Sequence, residues 1–188
     1  MPYITTPVAV GHLFRALFNW QVGFVNRILT ALGLLQEPMN WLGTPGYTKP
    51  LIAVMITWQS IGYAIVMIMA GLRSISREMF DAARIDGAGR IVVFRRIAVP
   101  LVRPVITFLV ITLMIWGLQL FDEPFLLYGP SGGSAYSALT MVSYLYISAF
   151  VDGYSGYGSA LGYILAVAII ITTLLLGRVL GWKRRLNW

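Results

Sequence analysis

The sequence predicts an all-α fold, a polytopic transmembrane helical bundle with three clear spans and one partial N-terminal span, on three observations. Of 188 residues, 58% are hydrophobic and only 11% are charged, against about a quarter charged in ordinary soluble domains. The apolar residues gather into runs long enough to cross a bilayer. The charges lie between those runs instead of being spread over a surface. The same arithmetic excludes intrinsic disorder, which needs few apolar residues and many charges. The chain has no cysteine, so disulfide frameworks, Cys-ligated zinc, iron–sulfur clusters and thiol nucleophiles are excluded. A net charge of +7 suggests nucleic acid only on a soluble fold with a basic face, and here its placement points to lipid instead.

In chain order, Tyr3 to Phe18 is apolar but interrupted by Pro7, His12 and Arg15, which leaves a short span, a piece of one, or an interfacial segment. No basic region precedes it and no small-residue cleavage pattern follows, so it makes a poor signal peptide. Three later stretches each supply the roughly 20 apolar residues that a 30 Å hydrocarbon core requires. They run from about Leu51 to Leu72, from Val105 to Phe121 and from Gly158 to Leu180, with no acid in any of them. Arginines 73, 77, 84, 90, 95, 96 and 103 fall between the first two, and Lys183, Arg184 and Arg185 close the chain, whereas Asp122 to Tyr157 holds no Lys or Arg. Short loops rich in Lys and Arg stay in the cytoplasm. The arginine loop and the C-terminus are therefore expected to be cytoplasmic, and the Asp122 to Tyr157 segment external, in a multi-pass protein of the plasma (inner) membrane.

The arginine loop, residues 73–103, carries the most local information. Ser76 reads as an N-cap with Glu78 in the first turn of a short helix from Arg77 to Ile85. Asp86-Gly87 breaks it, because glycine accepts the left-handed conformation that ends helices. A second short helix is expected from Ala88 to about Ala98, with Ile91, Phe94 and Ile97 at three-residue spacing, ended by Val99-Pro100 before the next span. Two readings stand for this bent pair: a basic amphipathic loop on anionic membrane lipids, or a docking elbow for a partner.

Polar residues inside spans are expensive and tend to face a pathway. In the first clear span Thr57, Gln59, Ser60 and Tyr63 cluster near mid-depth. In the next, Thr112, Trp116 and Gln119 follow i, i+4, i+7 spacing. An aromatic ring beside amides and hydroxyls suits a neutral sugar, whose C–H face stacks while its hydroxyls hydrogen-bond. The competing reading is that these groups bond neighbouring helices. Gly62, Gly71 and Gly117 read as packing contacts. His12, the only histidine, has no partner cluster and reads as interfacial; no metal site is expected. Trp41, Trp182 and Trp188 read as interface anchors, and Lys183 to Arg185 as an inside-retaining cluster. No Gly-x-x-x-x-Gly-Lys-Ser/Thr phosphate loop occurs; the run from Gly129 to Ser134 reads as a turn.

The loop's spacing decides between its two readings. Asp81-Ala82-Ala83, three residues, Gly87, nine residues, Ile97, one residue, Val99-Pro100 closely resembles the EAA loop of permease subunits in ATP-binding-cassette importers. Asp81 replaces the usual Glu and Val99 the usual Leu. The surrounding AGLRSISREMFDAARIDGAGRIVVFRRIAVPLVRP is similar to the version in sugar-type permeases related to the maltose system's membrane subunits. MPYITTPVAVGHLFRALFN upstream resembles the end of the third span in that family. FDEPFLLYGPSGGSAYSALTMVSYLYISAF resembles the external stretch before its last span. The resemblance implies one transmembrane permease domain over 1–188, corresponding to the last half to two-thirds of a six-span subunit without its first two spans. It implies that the chain binds no cofactor and that ATP is hydrolysed by a cytoplasmic ATPase dimer. The coupling contacts would be made through Asp81, Ala82, Ala83, Gly87, Ile97 and Pro100. A second permease subunit and an external solute-binding protein are the other implied partners, and the substrate site is implied on the spans holding Gln59, Ser60, Tyr63, Thr112, Trp116 and Gln119.

Three rivals are weighed against this importer permease, which is itself no enzyme. A secondary-transporter fragment would bury ionisable residues within its spans to carry coupling ions, and none lies at mid-depth in the three clear ones. A nonfunctional or split remnant is motivated by the absent spans. An intramembrane enzyme would need paired acids, a metal cluster or a nucleophile–base set, and no span holds one.

Overall fold

The computed structural model describes residues 2–180, so the expectations for Trp182, Trp188 and Lys183 to Arg185 fall outside the described residues. Within them the chain is helix and turn with no strand. Helix α1 is Pro7–Leu17, α2 Phe24–Ala31, α3 Pro45–Arg73, α4 Arg77–Ile85, α5 Arg90–Val93, α6 Val99–Leu118, α7 Asp122–Tyr128, α8 Met141–Tyr146 and α9 Ser155–Val179. A π-turn over Phe94–Ala98 joins α5 to α6 in one continuous helix, Arg90–Leu118. That helix, α3 and α9 have 29, 29 and 25 residues and are the three long and apolar enough to cross a membrane. Each begins earlier than its hydropathy alone would mark, whereas the second ends at Leu118, short of the expected Phe121, and the third at Val179. Long apolar faces stay uncovered, including Ile61, Ile65 and Met69 on α3, Phe108 on α6, and Ile164, Val167 and Leu174 on α9. Such faces suit hydrocarbon or another membrane helix, and water poorly.

Of the readings of the N-terminal segment, an interruption at Pro7 and a complete span are corrected. Pro7 does not interrupt the segment: it opens α1, where its missing N–H is no loss, and the Thr6 hydroxyl caps the Ala9 amide at 3.4 Å. The helix has 11 residues, a rise of roughly 17 Å, so it is too short to span. Instead it packs on α7. Val10 and Phe14 of α1, Leu51, Ile52 and Met55 of α3, Leu127 of α7, and Ala138 form one buried cluster. The segment after the second span is thus a helix folded back over α1, turned by glycines 129, 132 and 133 at φ +76°, +69° and +74° as the turn reading expected.

The arginine loop follows the sequence in its first half. Helix α4 occupies the expected residues, although the Ser76 hydroxyl makes no capping bond. It ends in a Schellman turn: Gly87 stands at φ +72°, its N–H donates to the Arg84 carbonyl at 3.0 Å, and the Ala88 N–H donates to the Ala83 carbonyl at 2.9 Å. The second half departs from expectation. Helix starts at Arg90, not Ala88, and Val99-Pro100 does not end it. Pro100 can give no amide to the turn before it, and the backbone widens there, so that the Val99 N–H reaches the Phe94 carbonyl five residues back.

Trp41 is likewise not a free anchor. Its indole N–H donates to Asn26 Oδ1 at 2.7 Å, and its ring packs edge-on against Phe18 and Tyr47. Buried Asn26 also accepts from the Met39 amide at 3.3 Å and donates to the Trp20 and Met39 carbonyls at 3.1 and 2.9 Å. One side chain thereby ties α2 to the approach to α3. Replacing Asn26→Leu strands these partners, and thermal unfolding in detergent is expected to show a loss on the order of 2–3 kcal/mol; an unchanged midpoint would refute the tie.

Candidate functional site

Helices α3 and α6 run antiparallel and close together at the loop end, where Gly71 lets them touch: a Cβ there would stand 2.9 Å from Val105 Cγ2. Toward the other end they part around a cavity of about 810 Å³, within the range of small-ligand pockets. Gln59 and Ser60 line it from α3 and Trp116 from α6; Gln119, the residue that caps α6, joins them. These four expected site residues therefore meet. Tyr63 lies outside the lining but packs against it, its ring 5.3 Å from that of Trp116 centroid to centroid. Thr112 is half-buried and also lies outside the lining, one helical turn nearer the loop end than Trp116. Gly62 lies under Tyr3, with a Cβ there 3.4 Å from Tyr3 Cβ, as a packing glycine should. Gly117 departs from the packing expectation, because it faces the cavity with nothing within 4 Å of a Cβ.

Several wall residues were not anticipated. Tyr3 stacks on Tyr63 at 5.2 Å with 27° between planes and lies 6.4 Å from Trp116 at 13°, so three rings form an aromatic wall. Thr5 adds a hydroxyl from the same segment, and Asp122 and Glu123 add carboxyl groups from the first turn of α7. No spacing rule links Tyr3 to Tyr63 sixty residues away, so only the fold reveals the ring partner. Gln59 Oε1 is buried without a hydrogen-bond partner.

Burial pushes the Glu123 carboxyl above the usual carboxylate range; a hydrogen bond from its own backbone opposes this, and the adjacent Asp122 charge adds to the rise.

At the loop end, Asp81 is exposed and pairs loosely with Arg84 across 3.4 Å on the same helix. Ala82 is exposed and Ala83 buried; Ile97 is half-buried and Pro100 exposed. Ile85, Ile91 and Phe94 stand 87%, 74% and 59% exposed around the bend. The six expected loop residues thus occupy one bent element, whose apolar tip none of the described residues covers. Gly87 has open space around a Cβ position, so its left-handed backbone, not crowding, calls for glycine. His12 is exposed on α1, and no group of three metal-ligating side chains occurs among the described residues.

A membrane-embedded helical bundle with a polar, aromatic-walled cavity between spans and a protruding helical elbow defines the class of transport permeases. The chain belongs to the family described as binding-protein-dependent transport system inner membrane component, whose sequence profile matches residues 1–184. It is 35% identical over 177 residues to the lactose transport system permease protein LacF of Rhizobium radiobacter, covering 93% of this chain and 59% of that one. It is 30% identical over 176 residues to the arabinooligosaccharides transport system permease protein AraP of Bacillus subtilis, covering 93% and 55%. The chain thus spans well under two-thirds of these relatives' length. The fold matches the crystal structure of a bacterial alginate ABC transporter in complex with its alginate pentasaccharide-bound periplasmic protein. There the TM-score is 0.86 at 22% identity, over 98% of this chain and 63% of that one.

A raised folded-state value means that the neutral carboxyl of Glu123 favours the fold below the unfolded pKa, a contribution lost as pH rises through the folded one. Glu123→Gln is therefore expected to raise the unfolding midpoint at pH 7, and the gain should shrink as pH falls into the ordinary carboxylate range. A gain that is absent, or that grows on acidification, would contradict the burial.

Proposed function

We propose that the chain is the translocating membrane subunit of an ATP-binding-cassette importer for carbohydrate, acting as one permease domain over 1–188 and leaving ATP hydrolysis to another polypeptide. The observation that carries this reading is the cavity lining of Tyr3 and Trp116, with the Tyr63 ring packed against both, beside Gln59, Ser60 and Gln119. Flat rings stack on a sugar's C–H face while amides and hydroxyls bond its rim. Family membership and the sugar-permease relatives support it. The partners are two ATPase subunits, a second permease subunit and an external solute-binding protein.

Force enters at the elbow. Helix α4 seats on the ATPase, with Asp81 facing a basic residue there, Ala82 and Ala83 allowing close approach, and Gly87 holding the bend. The continuous helix Arg90–Leu118 begins next to that elbow and carries Trp116 roughly 39 Å further on by helical rise. One rigid rod therefore links the docking point to the cavity, with Ile97 and Pro100 at its base. When the ATPase subunits close on ATP, the seated elbow moves, the rod tilts, and the cavity changes the side to which it opens. The arginine loop lies in the cytoplasm by its charge. The Arg103 guanidinium donates to the Leu180 carbonyl at 3.3 Å, a contact that supports reading the end of α9, and with it the C-terminus, as cytoplasmic as well.

Two variant pairs test the reading in the assembled importer. Gly87→Val forces a β-branched residue to positive φ and is expected to cut uptake and substrate-stimulated ATP hydrolysis at least tenfold. Gly87→Asn, which tolerates that conformation, should keep most of both; normal uptake in the valine variant would defeat the lever. Trp116→Ala should weaken sugar uptake severalfold with assembly intact, whereas Trp20→Ala should not; unchanged uptake in the Trp116 variant would remove the aromatic wall from the pathway.

A further inference from the structure

We propose that Asp122 and Glu123 make the cavity a charge filter, admitting neutral and amino sugars and rejecting sugars that carry a carboxylate. This rests on the carbohydrate reading of the cavity and adds the cargo's charge to it. The lining holds both carboxyl groups and no Lys, Arg or His, and among the described residues neither acid takes part in an ion pair. The wall thus presents negative charge with no compensating cation. A carboxylate placed against the aromatic wall would meet like charge across a partly desolvated space, where such juxtapositions discriminate strongly. An ammonium group would be attracted, and a neutral ring would feel little.

Helix capping alone does not account for the pair. Acids favour the first turn of a helix, and α7 begins with them, but a capping acid is satisfied in solvent. Here Glu123 is half-buried and lies on the cavity lining, a placement that costs desolvation and that a role in recognition explains. The fold does not dictate the choice of cargo charge, since the alginate transporter of the same fold handles an acidic polysaccharide.

The test is calorimetric titration of the full chain in detergent at pH 7 with lactose, its C6-oxidised uronate and its C6-amino analogue. Lactose and the amino sugar are expected to bind at least tenfold tighter than the uronate. In the Asp122→Asn/Glu123→Gln double variant the lactose-to-uronate ratio should fall to within about threefold, and in Asp152→Asn, an exposed acid outside the lining, it should stay at the wild-type value. Should the double variant fail to fold, 1 M salt applied to the wild type should shrink the ratio. Uronate binding as tight as lactose, or a ratio that survives both neutralisation and salt, would overturn the filter alone. No binding of any of the three sugars would overturn the sugar-site reading beneath it.

Discussion

Hydrocarbon offers no hydrogen bonds, so each peptide group that enters it must be satisfied within its own helix. That constraint organises the whole chain. It forces α3, the Arg90–Leu118 helix and α9 to be long and unbroken, and confines turns to the ends of the bundle. Pro45 and Pro7 sit where an amide is dispensable and Pro100 is answered by a widened turn, whereas Pro50 and Pro104 lie inside α3 and α6 near their starts and each gives up one ladder bond there. Irregular backbone with positive φ gathers at the ends, at Gly87 on one side and around Gly129 to Tyr136 on the other. The interior of the membrane is left to side-chain chemistry alone.

Within that frame the chain separates its two tasks along one axis. At the loop end α3 and α6 touch through Gly71, and the bend protrudes with an apolar tip; at the far end the helices diverge around the cavity. The packed core lies beyond the cavity, where α1 and α7 close over the start of α3. A bundle packed at one end and protruding at the other is shaped so that displacement of the protruding end would change the width of the opening.

Features set by local rules were legible in the sequence, and those set by distant contacts were not. Hydropathy located the three spans, since span length follows from bilayer thickness. Arg77 to Ile85 followed from its flanking Ser76 and Asp86-Gly87, and Gln59, Ser60, Trp116 and Gln119 from polarity within apolar runs. Tyr3 was missed because its ring partner lies on another helix. The folding back of α7 was missed because Phe125, Leu126 and Leu127 form too short a run to show which surface they cover. Thr112 lies outside the cavity lining, which a stripe read along one helix could not show, because it says nothing about where the neighbouring helix stands. The persistence of helix through Pro100 escaped notice because proline usually marks a boundary, and only backbone coordinates record the wider turn that absorbs it.

The wide turn at Phe94–Ala98 also resets the angular phase between the two halves of that helix. An ordinary helix would fix the azimuth of Ile91 relative to that of Trp116 through about 100° per residue. The extra position taken up in the wide turn shifts that azimuth by one fixed step, so residue count alone does not set which way the elbow's outer surface looks relative to the ring at the cavity. Straightening the turn would swing the elbow around the helix axis while leaving the aromatic cluster where it stands.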